Sequence, residues 1–183
     1  MTPVDLTKVT RLLNHGPTTI ITSAHANNRN IMAAWVCALD FNPPKVTVVI
    51  DSKTYTRELM EAEGTFAINL PCVKQIEMVK KVGSISGRDL AGTDKFAEYG
   101  IETFSAQEIS APLVKDCVAW LECKLIPEPH NQSTYDLFIA EVVAAHVDER
   151  VFTVGRWHFE GHDELRTIHH IAGGVFFATG QAY

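Results

Sequence analysis

Tyr135-Asp-Leu-Phe-Ile-Ala-Glu-Val-Val-Ala-Ala-His-Val147 has the alternation and length of a long β-strand. In a strand, alternate side chains point to opposite faces. Tyr135, Leu137, Ile139 and Val143 then line one face, and Phe138, Ala140 and Val142 line the other. Both faces are apolar, so the strand must be buried on two sides. A small barrel with a helix or a partner subunit packed outside meets that need.

Working outward, Cys117 to Ile126 reads as a second long strand, and Pro127-Glu-Pro-His-Asn-Gln132 as the hairpin connection between the two. Further upstream, strands are expected at Thr18–Ser23, Ile31–Leu39, Lys45–Ile50 and Thr65–Leu70, with Ala24–Asn30 as a polar turn. Val46, Val48 and Ile50 share a face. Helices are expected over the first residues, where Leu6, Val9, Leu12 and Leu13 share a face, and at Tyr55–Glu63, Val73–Val82 and Asp94–Tyr99. Gly83 to Gly92 is a polar loop. The pattern is strand-led, with helices as inserts rather than in βα alternation. It predicts a mainly β chain with α insertions, an antiparallel barrel with flanking helices, over one domain spanning residues 1–183.

The net charge of −6 argues against general nucleic-acid binding, which needs a basic field, and against a polybasic membrane-surface protein. One local basic pocket for a phosphate remains allowed. No apolar run approaches the roughly 20 residues of a membrane helix. Met1-Thr-Pro-Val-Asp5 carries no signal-peptide pattern, so the expected compartment is the cytoplasm. There Cys37, Cys72, Cys117 and Cys123 are expected as reduced thiols, with Cys117 and Cys123 buried on one side of a strand.

Four segments can carry chemistry. In Asn30-Ile-Met-Ala-Ala-Trp-Val-Cys37, small residues let a flat ligand approach the backbone, although a core strand with two alanines reads the same way. Asp51-Ser-Lys-Thr-Tyr55 ends a strand and begins a helix, where free N–H groups attract phosphate; a plain N-cap beside a solvated lysine is the competing reading. Gly83-Ser-Ile-Ser-Gly-Arg-Asp89 is not a P-loop, since its glycines are wrongly spaced and Arg88 stands where Lys would be; it is a flexible loop whose Arg can fork onto a phosphate or carboxylate, with a plain surface loop as the competing reading. His158, His162, His169 and His170 cluster near the end, but without a zinc-like spacing, so packing or pocket lining is favoured over a metal. No Rossmann fingerprint and no nucleophile elbow is present.

Taken in order, these segments resemble the flavin reductase-like family, the FMN-binding split barrels that include flavoredoxins. The resemblance runs from Gly16-Pro-Thr-Thr-Ile-Ile-Thr-Ser23 through Asn30–Trp35, Asn42–Val46, Ser52-Lys-Thr-Tyr-Thr56 and Gly64–Pro71. It continues with Ser86-Gly-Arg-Asp89, Asp94-Lys-Phe96, Ala111–Val114 and Leu121–Lys124, and ends at His169-His-Ile-Ala-Gly-Gly174. Ala34 stands where many members have Ser, which removes a hydroxyl but leaves backbone contacts.

The resemblance implies a Greek-key split barrel and a homodimer with FMN in a groove near its interface. It places Met32, Ala33, Ala34, Trp35, Val36 and Cys37 along the flavin ring and ribityl chain, and Asn30 is counted among the cofactor-binding residues with them. Ser52, Lys53 and Thr54 would hold the phosphate, with Arg88 as helper, and His170 would approach the cofactor. It implies an NAD(P)H-dependent flavin or ferric reductase, or alternatively a flavoredoxin-type carrier reduced by a protein partner. No catalytic acid or base and no metal is expected, because the flavin carries the redox chemistry.

Overall fold

The computed structural model describes residues 16–183, so the helix expected around Leu6–Leu13 lies outside the described residues. In chain order the elements are β1 (Thr19–His25), β2 (Asn28–Phe41), β3 (Pro44–Val49), α1 (Tyr55–Glu63), β4 (Thr65–Leu70), α2 (Ile76–Val82) and α3 (Lys95–Glu98). There follow β5 (Thr103–Phe104), β6 (Leu113–Val114), β7 (Ala119–Ile126), α4 (Pro129–Tyr135), β8 (Leu137–Val147), β9 (Phe152–Thr153), β10 (Arg156–Trp157), β11 (Ile168–Ala172) and β12 (Val175–Ala178).

Six strands close an antiparallel barrel in the order β1-β2-β3-β8-β7-β4. The strands β1, β2 and β3 form a meander, and β4 returns to the free side of β1, which is the Greek-key arrangement. Ile21, Val48, Ile50, Phe66, Ile68 and Phe138, all essentially buried, fill the interior. A second cluster lies outside the wall, where Ile20 and Ile31 meet Val79 and Val82 of α2 and Phe96 of α3. So β1 is apolar on both faces, as β8 was expected to be.

Local chemistry sets the limits of α1. The Thr54 hydroxyl accepts from Arg57 N at its start, and Gly64, at φ 76, donates its N–H to Met60 O at 2.8 Å at its end. Arg57 then anchors the helix. Its nearly buried guanidinium pairs with Asp136, donates to Glu61 at 3.0 Å, to Ile50 O at 3.3 Å and to Gln132 O at 2.9 Å, and lies 4.9 Å over the Phe138 ring.

Several expectations are corrected. The connection Pro127–Gln132 is not a bare hairpin turn, because Pro129 opens the helix α4, which ends at Asp136 with φ 53. Proline suits a first helical position, where its missing N–H is not needed. Tyr135 therefore closes α4 and is exposed, and the strand begins at Leu137. The polar turn shrinks to Ala26-Asn27, since His25 and Asn28 already pair across β1 and β2. Val73–Gln75 is a 3₁₀ turn that leads into α2. Cys117 precedes β7 and belongs to the outer cluster, whereas Cys123 points into the barrel, so the two thiols do not share one face.

Candidate functional site

The site begins where β2 changes partner. Its residues Asn28–Ala34 pair with β1, and from Trp35 onward it pairs with β3. Ala33-Ala34 are paired on the β1 side alone and Trp35-Val36 on the β3 side alone, and a cleft opens at this switch. Met32, Ala34 and Val36 pack inward on the barrel core, which turns Ala33, Trp35 and Cys37 outward. Ala33 offers almost no side chain there, so a flat group can lie close to the main chain.

The cleft has a volume of about 1090 Å³. That is at the upper end for a small-molecule site, which typically runs to roughly 1,000 Å³. Met32–Cys37 form its floor. One wall is the end of α2, with Val79, Lys80, Gly83 and Ser84, and another is the β11–β12 hairpin, with His170, Gly174 and Phe176. Gly16–Thr19, Val49, Asp51 and the Tyr135-Asp136 corner complete it. The buried Thr18 Oγ1 has no hydrogen-bond partner among the described residues. A buried hydroxyl left unpaired is costly, and a polar ligand edge would satisfy it. Small floor residues, an apolar lining and this open donor-acceptor fit a planar heteroaromatic group with polar edges.

The expected site residues fall into three sets. Met32, Ala33, Ala34, Trp35, Val36, Cys37 and His170 line the one cleft, and the His170 ring lies tilted against Phe176 at 5.1 Å. Ser52, Lys53 and Thr54 form the turn that follows the cleft residue Asp51 into α1. Asp51 shapes that turn by accepting from Lys53 N at 2.8 Å. The Thr54 hydroxyl is already engaged, donating to Asp51 O at 2.8 Å and accepting from Arg57 N at 3.4 Å. Lys53 is exposed and makes no ion pair among the described residues. Arg88 reaches the same first turn of α1, but it pairs with Glu58 and lies over the Tyr55 ring at 5.7 Å.

Asn30 does not line the cleft. It is buried one turn of the pleat before Met32, donates to Thr56 Oγ1 at 2.8 Å, and leaves its own Oδ1 unpaired. The loop after α2 presses against it, for a Cβ at Gly87 would stand 2.3 Å from Asn30 Oδ1. Only glycine lets that loop come so close.

Of the walls, the sequence pointed only to His170. Thr18, Ser84, Tyr135, Asp136 and Phe176 come from separate segments, and no local pattern marks them. Thiol chemistry divides sharply. Cys72, Cys117 and Cys123 are buried and only Cys37 is exposed. Burial pushes the Cys123 thiol up to about 12 and raises those of Cys72 and Cys117. Among the described residues no cluster of His, Cys, Asp or Glu has the makings of a metal site, and no helix is long and apolar enough to cross a membrane.

A model of the flavin reductase like domain matches residues 12–164. The chain belongs to the flavin reductase-like family. The match stops short of β11–β12, so the hairpin wall of the cleft lies beyond the matched part. A crystal structure of an FMN-binding domain of a flavin reductases-like enzyme from Shewanella baltica is 48% identical, with a TM-score of 0.88 over 100% of this chain and 95% of that one. The uncharacterized protein YddH of Escherichia coli is 45% identical over 98% of this chain and 95% of its own length. Flavoredoxin of Desulfovibrio vulgaris shares the fold of this family member, with a TM-score of 0.79 at 24% identity over 92% of this chain and 89% of that one.

Proposed function

We infer that this chain binds FMN in the cleft along β2 and acts as an FMN-dependent oxidoreductase, accepting electrons from NADH or NADPH. The observation that carries this reading is the partner switch at Ala34-Trp35, which exposes a strand backbone floored by alanine. The 48% identical FMN-binding domain supports it. Bound there, FMN supplies a two-electron redox centre that can take a hydride from a nicotinamide.

The protein's own task is to bind and orient. Met32–Cys37 present backbone N–H and C=O groups to the ring edge, and the Thr18 hydroxyl offers a further contact. The Ser52-Lys53-Thr54 turn faces the phosphate, with the Ser52 hydroxyl and the Lys53 ammonium as ligands. Thr54 acts there as the cap that holds the turn. Arg88 joins only by exchanging Glu58 for the phosphate. Asn30 supports the floor from behind, and His170 with Phe176 shields one end from water.

The same reading makes the chain a homodimer. Trp35, Leu39 and Phe41 along the far half of β2 are 59%, 51% and 96% exposed, and Val175 and Phe177 on the hairpin add to them. Apolar surface of that kind on a monomer marks an interaction site. Light scattering at the mass of two chains supports it, and a single-chain mass refutes it.

Reductase and carrier are separated by anaerobic stopped-flow of the FMN-loaded protein. Bleaching of the flavin bands by NADH or NADPH alone is expected. Reduction by dithionite but by neither nucleotide would transfer the reading to a carrier that takes electrons from a protein.

A further inference from the structure

Asp94-Lys-Phe96 lies behind the cleft, where Lys95 and Phe96 meet the floor strand and α2 while Asp94 holds Arg29 of that strand. Asp94 caps α3 by accepting from Ala97 N at 2.8 Å, and it pairs with Arg29 of β2 at 2.6 Å. Phe96 is buried beneath Arg29, whose guanidinium lies 4.6 Å over the ring, and it packs with Ile31, Val79 and Val82. Lys95, between them, is only 3% exposed. Its ammonium donates to Ile31 O at 3.1 Å and to Val82 O at 2.7 Å. Ile31 is the residue before the cleft floor starts at Met32. Val82 is the last residue of α2, just before the wall residues Gly83 and Ser84. A last-turn helical carbonyl has no partner within its helix, so the lysine supplies one from elsewhere.

We propose that Lys95 is a positioning residue for the cofactor cleft: its buried side chain ties the strand floor to the α2 wall and fixes their spacing. This rests on the reading that the cleft holds FMN, but the tie itself does not need the cofactor. The tie carries a desolvation cost. Burial alone lowers the Lys95 pKa to about 8. No carboxylate offsets it. The charged groups on the elements packed around it are Arg29, Asp94, Glu98, Glu77, Lys80, Lys81, Arg88 and Asp89. Arg29 is paired with Asp94, Lys80 with Glu77 and Arg88 with Glu58, while Lys81, Asp89 and Glu98 are exposed. Opening the wall returns the ammonium to water, so the charged form favours opening and the neutral amine favours the closed wall.

The test is hydrogen exchange by mass spectrometry on FMN-free protein at pH 7 and pH 9, corrected for the intrinsic pH dependence, with native protein and Lys95→Met. In native protein, peptides covering 31–34 and 82–84 should gain about tenfold protection at pH 9, while β7 stays unchanged, since local openings report local contacts. In Lys95→Met the same two peptides should lose protection and show no pH response. FMN and riboflavin should both bind Lys95→Met about tenfold more weakly, one charge-assisted contact's worth. Native-like exchange with the native pH response in Lys95→Met, loss spread evenly over the barrel, or unchanged affinity for both flavins would each overturn the proposal. If Lys95→Met does not fold, the pH response of the native peptides decides. If native protein binds no FMN, the functional reading falls, while the exchange result still decides the tie.

Discussion

Replacing Lys53 by alanine should weaken FMN binding without touching riboflavin. The turn that carries Lys53 is held by others. Asp51 accepts from Lys53 N through the backbone, and Thr54 caps α1, so the substitution leaves both contacts in place. Of the basic side chains around this turn, Arg57 is engaged by Asp136 and Glu61 and Arg88 by Glu58, which leaves Lys53 as the free one among the described residues. A charge-assisted hydrogen bond is worth about 1.5–3 kcal/mol, or roughly 10- to 100-fold in affinity. Lys53 is exposed, so solvent screening puts its contribution at the lower end, about tenfold at moderate salt. The assay is a pair of dissociation constants, for FMN and for riboflavin, in native protein and in Lys53→Ala at fixed ionic strength. Raising the salt should shrink the FMN effect and leave riboflavin unaffected. An equal loss for both ligands would mean a damaged site rather than a lost phosphate contact. No loss for FMN would place the phosphate away from this turn, with Arg88 the next residue to test.

Three further outcomes follow from the geometry. Ala33→Leu fills the outward face of the cleft floor and should weaken FMN and riboflavin alike by about tenfold or more, the usual penalty of overfilling a site, with little change in melting temperature. A thiol reagent near pH 8 should titrate Cys37 at once and the three buried cysteines only after denaturation, and bound FMN should slow the Cys37 reaction; rapid reaction of two or more native thiols would contradict the burial. Lys95 carries a stability signature whose sign is fixed: the folded state penalises its charge fully below about pH 8, and the penalty fades as pH rises toward the ordinary 10.5. Native stability relative to Lys95→Met should therefore improve by up to about 3 kcal/mol between pH 7 and 10.5 in denaturant titrations, and a gap that is flat or narrows would refute a desolvated lysine.

How much of this was legible in the sequence depended on whether the signal was local. The limits of α1 were readable because Thr54 and Gly64 are capping residues at its two ends. Strand β4 and the inward face of β3 were readable from β-branched and aromatic alternation. The helix α4 was not, since Pro-His-Asn-Gln-Ser-Thr-Tyr is polar throughout, exposes most of its length and has no apolar period. The cleft floor at Met32–Cys37 is one continuous segment, yet its residues alone read equally well as a core strand, and only the family resemblance singled it out. Its walls converge from residues 16–19, 79–84 and 170–176, and no spacing within any of these reveals that they meet. Lys95 was hidden for a similar reason. A lysine at the start of a short helix reads as solvated, and only the arrival of carbonyls from positions 31 and 82 makes its burial tolerable.

Titrating FMN into the flavin-free protein, with heat and the visible spectrum followed together, decides whether the cleft holds a flavin. Saturable binding of one FMN per chain is expected, with shifted flavin bands and a sharp weakening in Ala33→Leu. A native, folded protein that gives neither heat nor a spectral change at saturating FMN would contradict it.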